Sequence, residues 1–105
     1  MTKPLTDAEA ESLANRKGLV ASKVTMPHIK SLIADIQYHQ FTGTQLTVCC
    51  LTLSNGFNVT GESACASHEN FDQEIGEGIA LTNAINKIWQ LEGYLLKQSL
   101  YEGTQ

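Results

Sequence analysis

The fold is decided by residues 46–64, which read LTVCCLTL, then SNG, then FNVTGESA. A two-residue Asn-Gly loop would mix apolar and polar side chains on both faces of the hairpin. A three-residue SNG loop, with Gly56 in the left-handed conformation of a bulge, instead pairs Leu51 with Val59. The hairpin then has one apolar face, and the residues that form it are Cys49, Leu51, Leu53, Phe57, Val59 and Gly61.

The opposite face of the same hairpin is only half apolar. In this register, one strand presents Leu46, Val48, Cys50 and Thr52 there, and the other presents Ala64, Glu62, Thr60 and Asn58. Apolar side chains on an outer face need partial protection from water. We therefore expect a second layer or a partner to cover part of this face.

A long helical pattern follows the hairpin, and Ser67 and Asn70 are its two candidate N-caps, the second with Gln73 three residues on. Gly78 and Gly93 lie in or beside its apolar stripe, and we interpret them as sites of close backbone packing. We expect the stripe to cover the apolar hairpin face, whereas a weaker line on another side would seat the N-terminal helices or a second subunit. The stripe contains Phe71, Ile75, Ile79, Ile85, Trp89 and Leu96, flanked by Leu81 and Ile88, and the weaker line contains Ala80, Ala84, Leu91 and Leu95.

Two helices are predicted before the hairpin. Thr6 and Glu9 form a capping box for the first, which ends near Lys17. Thr25 caps the second, and an apolar repeat at i, i+3, i+4 and i+7 extends it to about Gln40. The residues of that repeat are Ile29, Leu32, Ile33 and Ile36. The sequence thus predicts an α+β domain with two N-terminal helices, an antiparallel β-hairpin and a long C-terminal helix packed on it.

With 105 residues the chain is long enough for one globular domain. We divide it into a capped helix and connection at 1–23 and a helix-hairpin-helix unit at 24–105. The net charge of −4 weighs against nucleic-acid binding. A patch containing Lys17, Lys23 and Lys30 remains a candidate contact for a small anion. Since there is no apolar run near twenty residues and no signal-like N-terminus, we expect a cytoplasmic protein that does not enter a membrane.

Catalytic and metal chemistry are weakly supported. The three cysteines lack a CxxC spacing and are interpreted as free thiols. Cys65 with His68 and Glu69 is the nearest approach to an activated nucleophile, but a packed thiol followed by a helix cap is the favoured interpretation, because Cys/His proximity without a family motif rarely marks a nucleophile. His28 and His39 would lie on one helix, about 16 Å apart, too far to share a metal. We expect no enzyme activity, no cofactor and no metal.

Four strings carry a resemblance to a known family: LTVCCLTLSNGF at 46–57, VTGESAC at 59–65, ENFD at 69–72 and IWQLEGYLL at 88–96. From about Val24 to Leu100 the chain resembles the small phage proteins typified by coliphage N-four gene product forty-nine and Shigella phage Sf-six gene sixty-six. The chain departs from the family pattern at two positions. Met26 stands where the family would have a proline directly after the capping Thr25, and Gln90 stands where the family more often has proline. The resemblance implies a phage or prophage origin and an accessory, host-interacting role, and it brings no catalytic residues.

Binding is the remaining functional hypothesis. Leu91, Tyr94, Leu95 and Tyr101 place more apolar surface on the C-terminal helix than one hairpin can cover. These residues would meet a host protein or a second copy, or lie beneath the N-terminal helices. We expect a non-enzymatic phage accessory protein that modulates a host component, such as a defence or replication factor. The alternative is a small-ligand binder, for example of a signalling nucleotide, whose phosphates meet the basic patch and the helix start at Asn70.

Overall fold

The computed structural model of the chain describes residues 23–67, 69 and 71–103. Three antiparallel strands form one sheet in the order β1-β2-β3, and both described helices lie on the same face of it. The α+β class is therefore confirmed, although the sheet has a third strand that the sequence analysis did not predict. The elements are α1 (Met26–Ser31), β1 (Ile33–Gln40), β2 (Leu46–Leu53), β3 (Asn58–Ala64) and α2 (Gln73–Gly103).

The β2–β3 hairpin has the predicted register. Leu51 lies opposite Val59, and the amide of Leu53 donates to the carbonyl of Phe57 at 2.8 Å. Gly56 has φ +90°, a conformation that glycine adopts without the steric cost of a side chain. The three-residue loop with a left-handed Gly56 is thus confirmed.

The predicted second helix begins correctly and ends too late. The Thr25 hydroxyl accepts from the amide of His28 at 3.3 Å, which confirms the cap, but α1 stops at Ser31. Residues 33–40 form β1, so the extension of the helix to Gln40 was wrong. The predicted first helix, from Thr6 to Lys17, lies outside the described residues. In the part of the chain that is described, one short helix precedes the sheet.

A β-bulge explains the misleading helical spacing in this segment. Ile33 pairs with Leu53 and Ile36 pairs with Leu51, and the register shifts between them. The extra residue places two isoleucines three positions apart on the same face of a strand. An i, i+3 apolar repeat, typical of a helix, therefore arises here from a strand.

The helix α2 starts later than predicted. The carboxylate of Asp72 accepts from the amide of Ile75 at 3.0 Å and caps the helix, which begins at Gln73. Ser67 is therefore not the N-cap, and Asn70 lies outside the described residues. An acidic cap stabilises the positive end of the helix dipole.

The side of α2 that faces the sheet combines part of the predicted stripe and its flanks with two alanines, Ala80 and Ala84, that were expected on another side. Ile75 and Ile79 are 62% and 48% exposed, so their assignment to the buried stripe was wrong. Ile85 and Trp89 do pack partly buried against the core, as predicted. The fully buried residues of α2 are Gly76, Ala80, Ala84 and Ile88.

A glycine in the sheet accounts for this choice of face. A Cβ atom on Gly61 would lie 2.2 Å from the carbonyl oxygen of Ala80 and 2.3 Å from the amide nitrogen of Ala84. The helix backbone thus rests directly on β3, which only small residues allow. Gly78 and Gly93 have open space where a Cβ would be, so their interpretation as packing sites was wrong.

The core lies between the helices and one face of the sheet. Ile29 of α1, Leu51 of β2 and Ile88 of α2 are fully buried there. His28 and Glu92 link α1 to α2 through a 2.6 Å contact between Nε2 and Oε1. No described element covers the opposite face of the sheet, so the second layer expected there is not formed by residues 23–67 or 71–103.

Candidate binding surface

A groove of about 700 Å³ separates the tip of the β2–β3 hairpin from the C-terminal half of α2. Apolar side chains from both elements form most of its walls, and Lys87 and Glu92 lie among the polar residues that also line it. The apolar lining residues are Leu53, Phe57, Val59, Leu91, Tyr94 and Leu95.

The groove exists because α2 is longer than the sheet beneath it. Thirty-one residues of helix span about 46 Å, whereas an eight-residue strand spans about 27 Å. Ile88 is the last buried residue of α2, and about 22 Å of helix follows it. Trp89 still packs against the core, but most apolar residues beyond it are exposed, namely Leu91, Tyr94, Leu95, Leu100 and Tyr101.

Three of the four residues predicted as an interaction surface lie together in this groove. Tyr94 is 70% exposed, Leu95 is 59% exposed, and Leu91 is also exposed. Tyr101 is exposed on the same helix but does not line the groove. In the sequence analysis, burial beneath the N-terminal helices was an alternative for these residues. Helix α1 does not bury them, and the predicted first helix lies outside the described residues.

Phe57 was missed as a member of this surface. From its position in the hairpin, Phe57 was expected on the covered face, yet it is more than half exposed. Phe57 directly follows the turn, where a crossing helix need not reach. A large aromatic residue at the end of a hairpin is therefore the signal that would have suggested an exposed position.

Of the basic residues proposed for anion contact, Lys23 and Lys30 lie far from the start of α2. Lys17 lies outside the described residues, and Lys23 and Lys30 are exposed beside and on α1. Helix α1 contacts α2 at Glu92, about 28 Å along the axis from the first residue of α2. The carboxylate of Asp72 already binds an amide at that start. One phosphate therefore cannot contact both the basic residues near α1 and the start of α2.

The thiol of Cys65 donates to the carbonyl of Ser67 at 3.1 Å. Because α2 begins at Gln73, this thiol does not lie at the helix start, and His68 lies outside the described residues. Cys49 is fully buried, and its burial, followed by the charges of Cys50 and Glu77, raises the pKa of its thiol. The raised pKa of Cys49 disfavours the thiolate, the form in which a cysteine acts as a nucleophile.

The prediction that His28 and His39 share one helix was wrong, since His28 lies on α1 and His39 lies on β1. Among the described residues, no three His, Cys, Asp or Glu side chains lie close enough to hold a metal ion. Within the same residues, no helix is both long and apolar enough to cross a membrane.

Comparisons with known proteins place the chain in one family. No curated protein and no solved structure matches it. A family model matches residues 24–100, which include all three strands, α1 and most of α2. The resemblance seen in the sequence is thereby confirmed, and the chain belongs to the phage protein (N4 Gp49/phage Sf6 gene 66) family.

Proposed function

We propose that this phage protein is not an enzyme and acts by binding and modulating a protein of the bacterial host, in the host cytoplasm. The apolar groove between the hairpin tip and α2 is the observation that carries the proposal. Contiguous exposed apolar surface is unfavourable in water unless a partner covers it. Family membership supplies the phage context in which a host target is expected.

The composition of the groove fits a protein partner. Tyr94 and Phe57 provide exposed aromatic surface, and aromatic residues are enriched where proteins meet. Lys87 and Glu92 supply the polar groups that a mainly apolar contact has at its edge.

An amphipathic helix is the occupant that this shape favours. One wall is the exposed side of α2, and a second helix lying beside it would place its apolar side chains against Leu91 and Leu95. The net charge of −4 favours encounter with a basic partner. We therefore propose a host segment with one apolar and one basic face.

The thiols support a role without catalysis. Cys49 is buried with a raised pKa, and Cys65 is bonded to a backbone carbonyl. The Cys49 thiol is a poor nucleophile at neutral pH, because its raised pKa disfavours the reactive thiolate.

The test is affinity capture from a bacterial host lysate, followed by reconstitution with the purified partner. We expect the wild-type chain to recover one protein in stoichiometric amount. Leu95→Ser and Tyr94→Ser each remove a large exposed apolar group from the groove and are expected to raise the Kd at least tenfold. Isothermal titration calorimetry measures this change.

Ile75→Ser is the matched control. Ile75 and Leu95 lie on the same helix with exposures of 62% and 59%, but Ile75 does not line the groove. Its substitution should leave the Kd unchanged. Three results would overturn the proposal. These are an equal loss of partner affinity in Ile75→Ser and Leu95→Ser, the capture of no stoichiometric protein, and the recovery of a small apolar molecule instead of a protein. Circular dichroism melts establish that the variants are folded.

A further inference from the structure

The strand β1 is an edge of the described sheet, and the residues that follow its bulge, 36–40, have no features that block pairing. It has eight residues and contains no proline, lysine or arginine, the residues that commonly protect sheet edges. Ile36 and Tyr38 are 42% and 38% exposed on it. Their side chains lie on the helix face of the sheet, because Ile36 is opposite Leu51 and Tyr38 is opposite Cys49.

The backbone groups of these two residues point away from β2. The amide of Phe41 donates to the carbonyl of Leu46, and antiparallel bonding alternates along a strand from such a pair. His39, Gln37 and Asp35 therefore bond to β2. The N–H and C=O groups of Ile36 and Tyr38 face outward, where a further strand would bind.

The other edge of the sheet differs from this one. The outward carbonyl of Glu62 in β3 accepts from the side-chain amide of Asn83 at 2.8 Å, and α2 packs along that strand. A strand added to β3 would have to displace this bond. The β1 edge is the accessible one among the described strands.

We propose that β1 pairs antiparallel with β1 of a second copy of this chain, around a two-fold axis at Gln37, to form a six-stranded sheet. In this register Ile36 lies opposite the partner's Tyr38, and each such pair exchanges both backbone bonds. A β-branched residue opposite an aromatic one is a favourable cross-strand pair. The two-fold axis makes the contact occur twice, as in isologous dimers.

Charge complementarity selects a second copy and this register. Asp35 lies opposite the partner's His39 on the face of the sheet that the helices do not cover, so each dimer contains two acid–histidine pairs. A shift of two residues in either direction removes both pairs. The ring of His39 packs edge-on against Phe41, with centroids 4.6 Å apart, and the Asp35 carboxylate accepts from Gln37 at 2.9 Å. Both side chains are thus held on the face where they would meet.

Disulfide trapping tests the register. At the two-fold axis, the Cα atoms of Gln37 and the partner's Gln37 would be about 4.5 Å apart, within the range of a disulfide. Gln37→Cys is made in a Cys50→Ser background, because Cys50 lies opposite Gln37 in β2 and would compete. Mild oxidation of the full chain should give a covalent dimer. Asp35→Cys, whose Cα would lie about 14 Å from its symmetry mate, should not form one.

A charge exchange tests the pairing in solution by sedimentation over a concentration series. Asp35→Lys places a lysine opposite the partner's His39, and His39→Asp places an aspartate opposite the partner's Asp35. Both pairings are unfavourable, so each variant should raise the dimer Kd about fivefold to tenfold. The double variant restores opposite charges and should recover most of the affinity. Ile36→Lys should abolish the dimer, whereas Ile79→Lys, at a similarly exposed residue of α2, should not.

Several results would overturn the proposal. These are a monomer at every concentration, a dimer insensitive to Ile36→Lys, no rescue by the double charge exchange, or equal crosslinking of Gln37→Cys and Asp35→Cys. Trapping of Gln37→Cys to residues 1–22 carrying a second introduced cysteine would show that this chain's own N-terminal segment occupies the edge. A strand from another protein in that place would also exclude the dimer.

Discussion

At Gly61 the backbone of α2 comes so close to the sheet that even a methyl group has no room. The two nearest atoms belong to the backbone of Ala80 and Ala84, and backbone cannot rotate away as a flexible side chain can. Gly78, two residues before Ala80 on the same helix, has open space around it. Two glycines that look alike in the sequence therefore have opposite roles.

We predict that Gly61→Ala lowers the free energy of unfolding by about 3 kcal/mol, because α2 must move away from β3. Gly78→Ala, the matched substitution, should instead raise it by up to about 1 kcal/mol through better helix propensity. Urea titration followed by circular dichroism measures both values. Similar effects of the two substitutions would contradict the packing of α2 on β3.

The Cys49 thiol gives a second prediction at this scale. Its pKa is raised above the ordinary value of 9.0, chiefly by burial, so the folded state favours the protonated thiol. The contribution of the protonated Cys49 thiol to the free energy of unfolding is complete below pH 9, and it is lost as the pH rises through the folded-state pKa. We expect the free energy of unfolding to fall above pH 9, and to fall less steeply in Cys49→Ala. Parallel pH profiles for the two proteins would contradict this account.

Among the elements, α1 shows how a short helix is held in place. Six residues do not form a stable helix alone, so packing must fix it. Ile29 is fully buried in the core, while His28 meets Glu92 at 2.6 Å with half of its side chain in water. Burial of an aliphatic side chain outweighs a polar contact that is half exposed to water.

We predict that Ile29→Ala lowers the free energy of unfolding by roughly 2–4 kcal/mol, the usual cost of a cavity in a core. His28→Ala should lower it by less than about 1 kcal/mol, as for other exposed pairs. Hydrogen exchange at the amides of α1 should likewise be accelerated more by Ile29→Ala than by His28→Ala. A larger effect of His28→Ala would mean that the contact with Glu92, and not the core, anchors the helix.

For the whole molecule, the two proposed surfaces lie at opposite edges of one sheet. The groove adjoins β3 and the hairpin tip, whereas β1 is the open edge among the described strands. A dimer through β1 leaves both grooves open, so one assembly would present two binding sites. Two sites on a rigid sheet raise the avidity for a multimeric partner without any new contact.

We predict that the two surfaces are independent. Leu95→Ser should leave the dimer mass unchanged in sedimentation, and Ile36→Lys should leave the monomeric affinity for the partner unchanged in calorimetry. Sites that share no residues usually contribute additively. Loss of the dimer on Leu95→Ser would show instead that the groove is the interface between copies.

The sequence by itself determined the hairpin and its register, the Thr25 cap and a long helix carrying Leu91, Tyr94 and Leu95 on its surface. These features follow from local rules, such as the left-handed conformation of Gly56 and the alternation of side chains along a strand. Three groove residues were predictable because a helix with apolar side chains all round needs more cover than one hairpin gives.

The tertiary structure alone decided which side of α2 faces the sheet and what residues 33–40 become. The close approach at Gly61 selects Ala80 and Ala84 over the larger Ile75 and Ile79, and that choice depends on residues distant in the sequence. The bulge in β1 gives a strand the apolar spacing of a helix, and pairing with β2 resolves the ambiguity. The groove and the free edge both result from these non-local contacts, which local patterns do not encode.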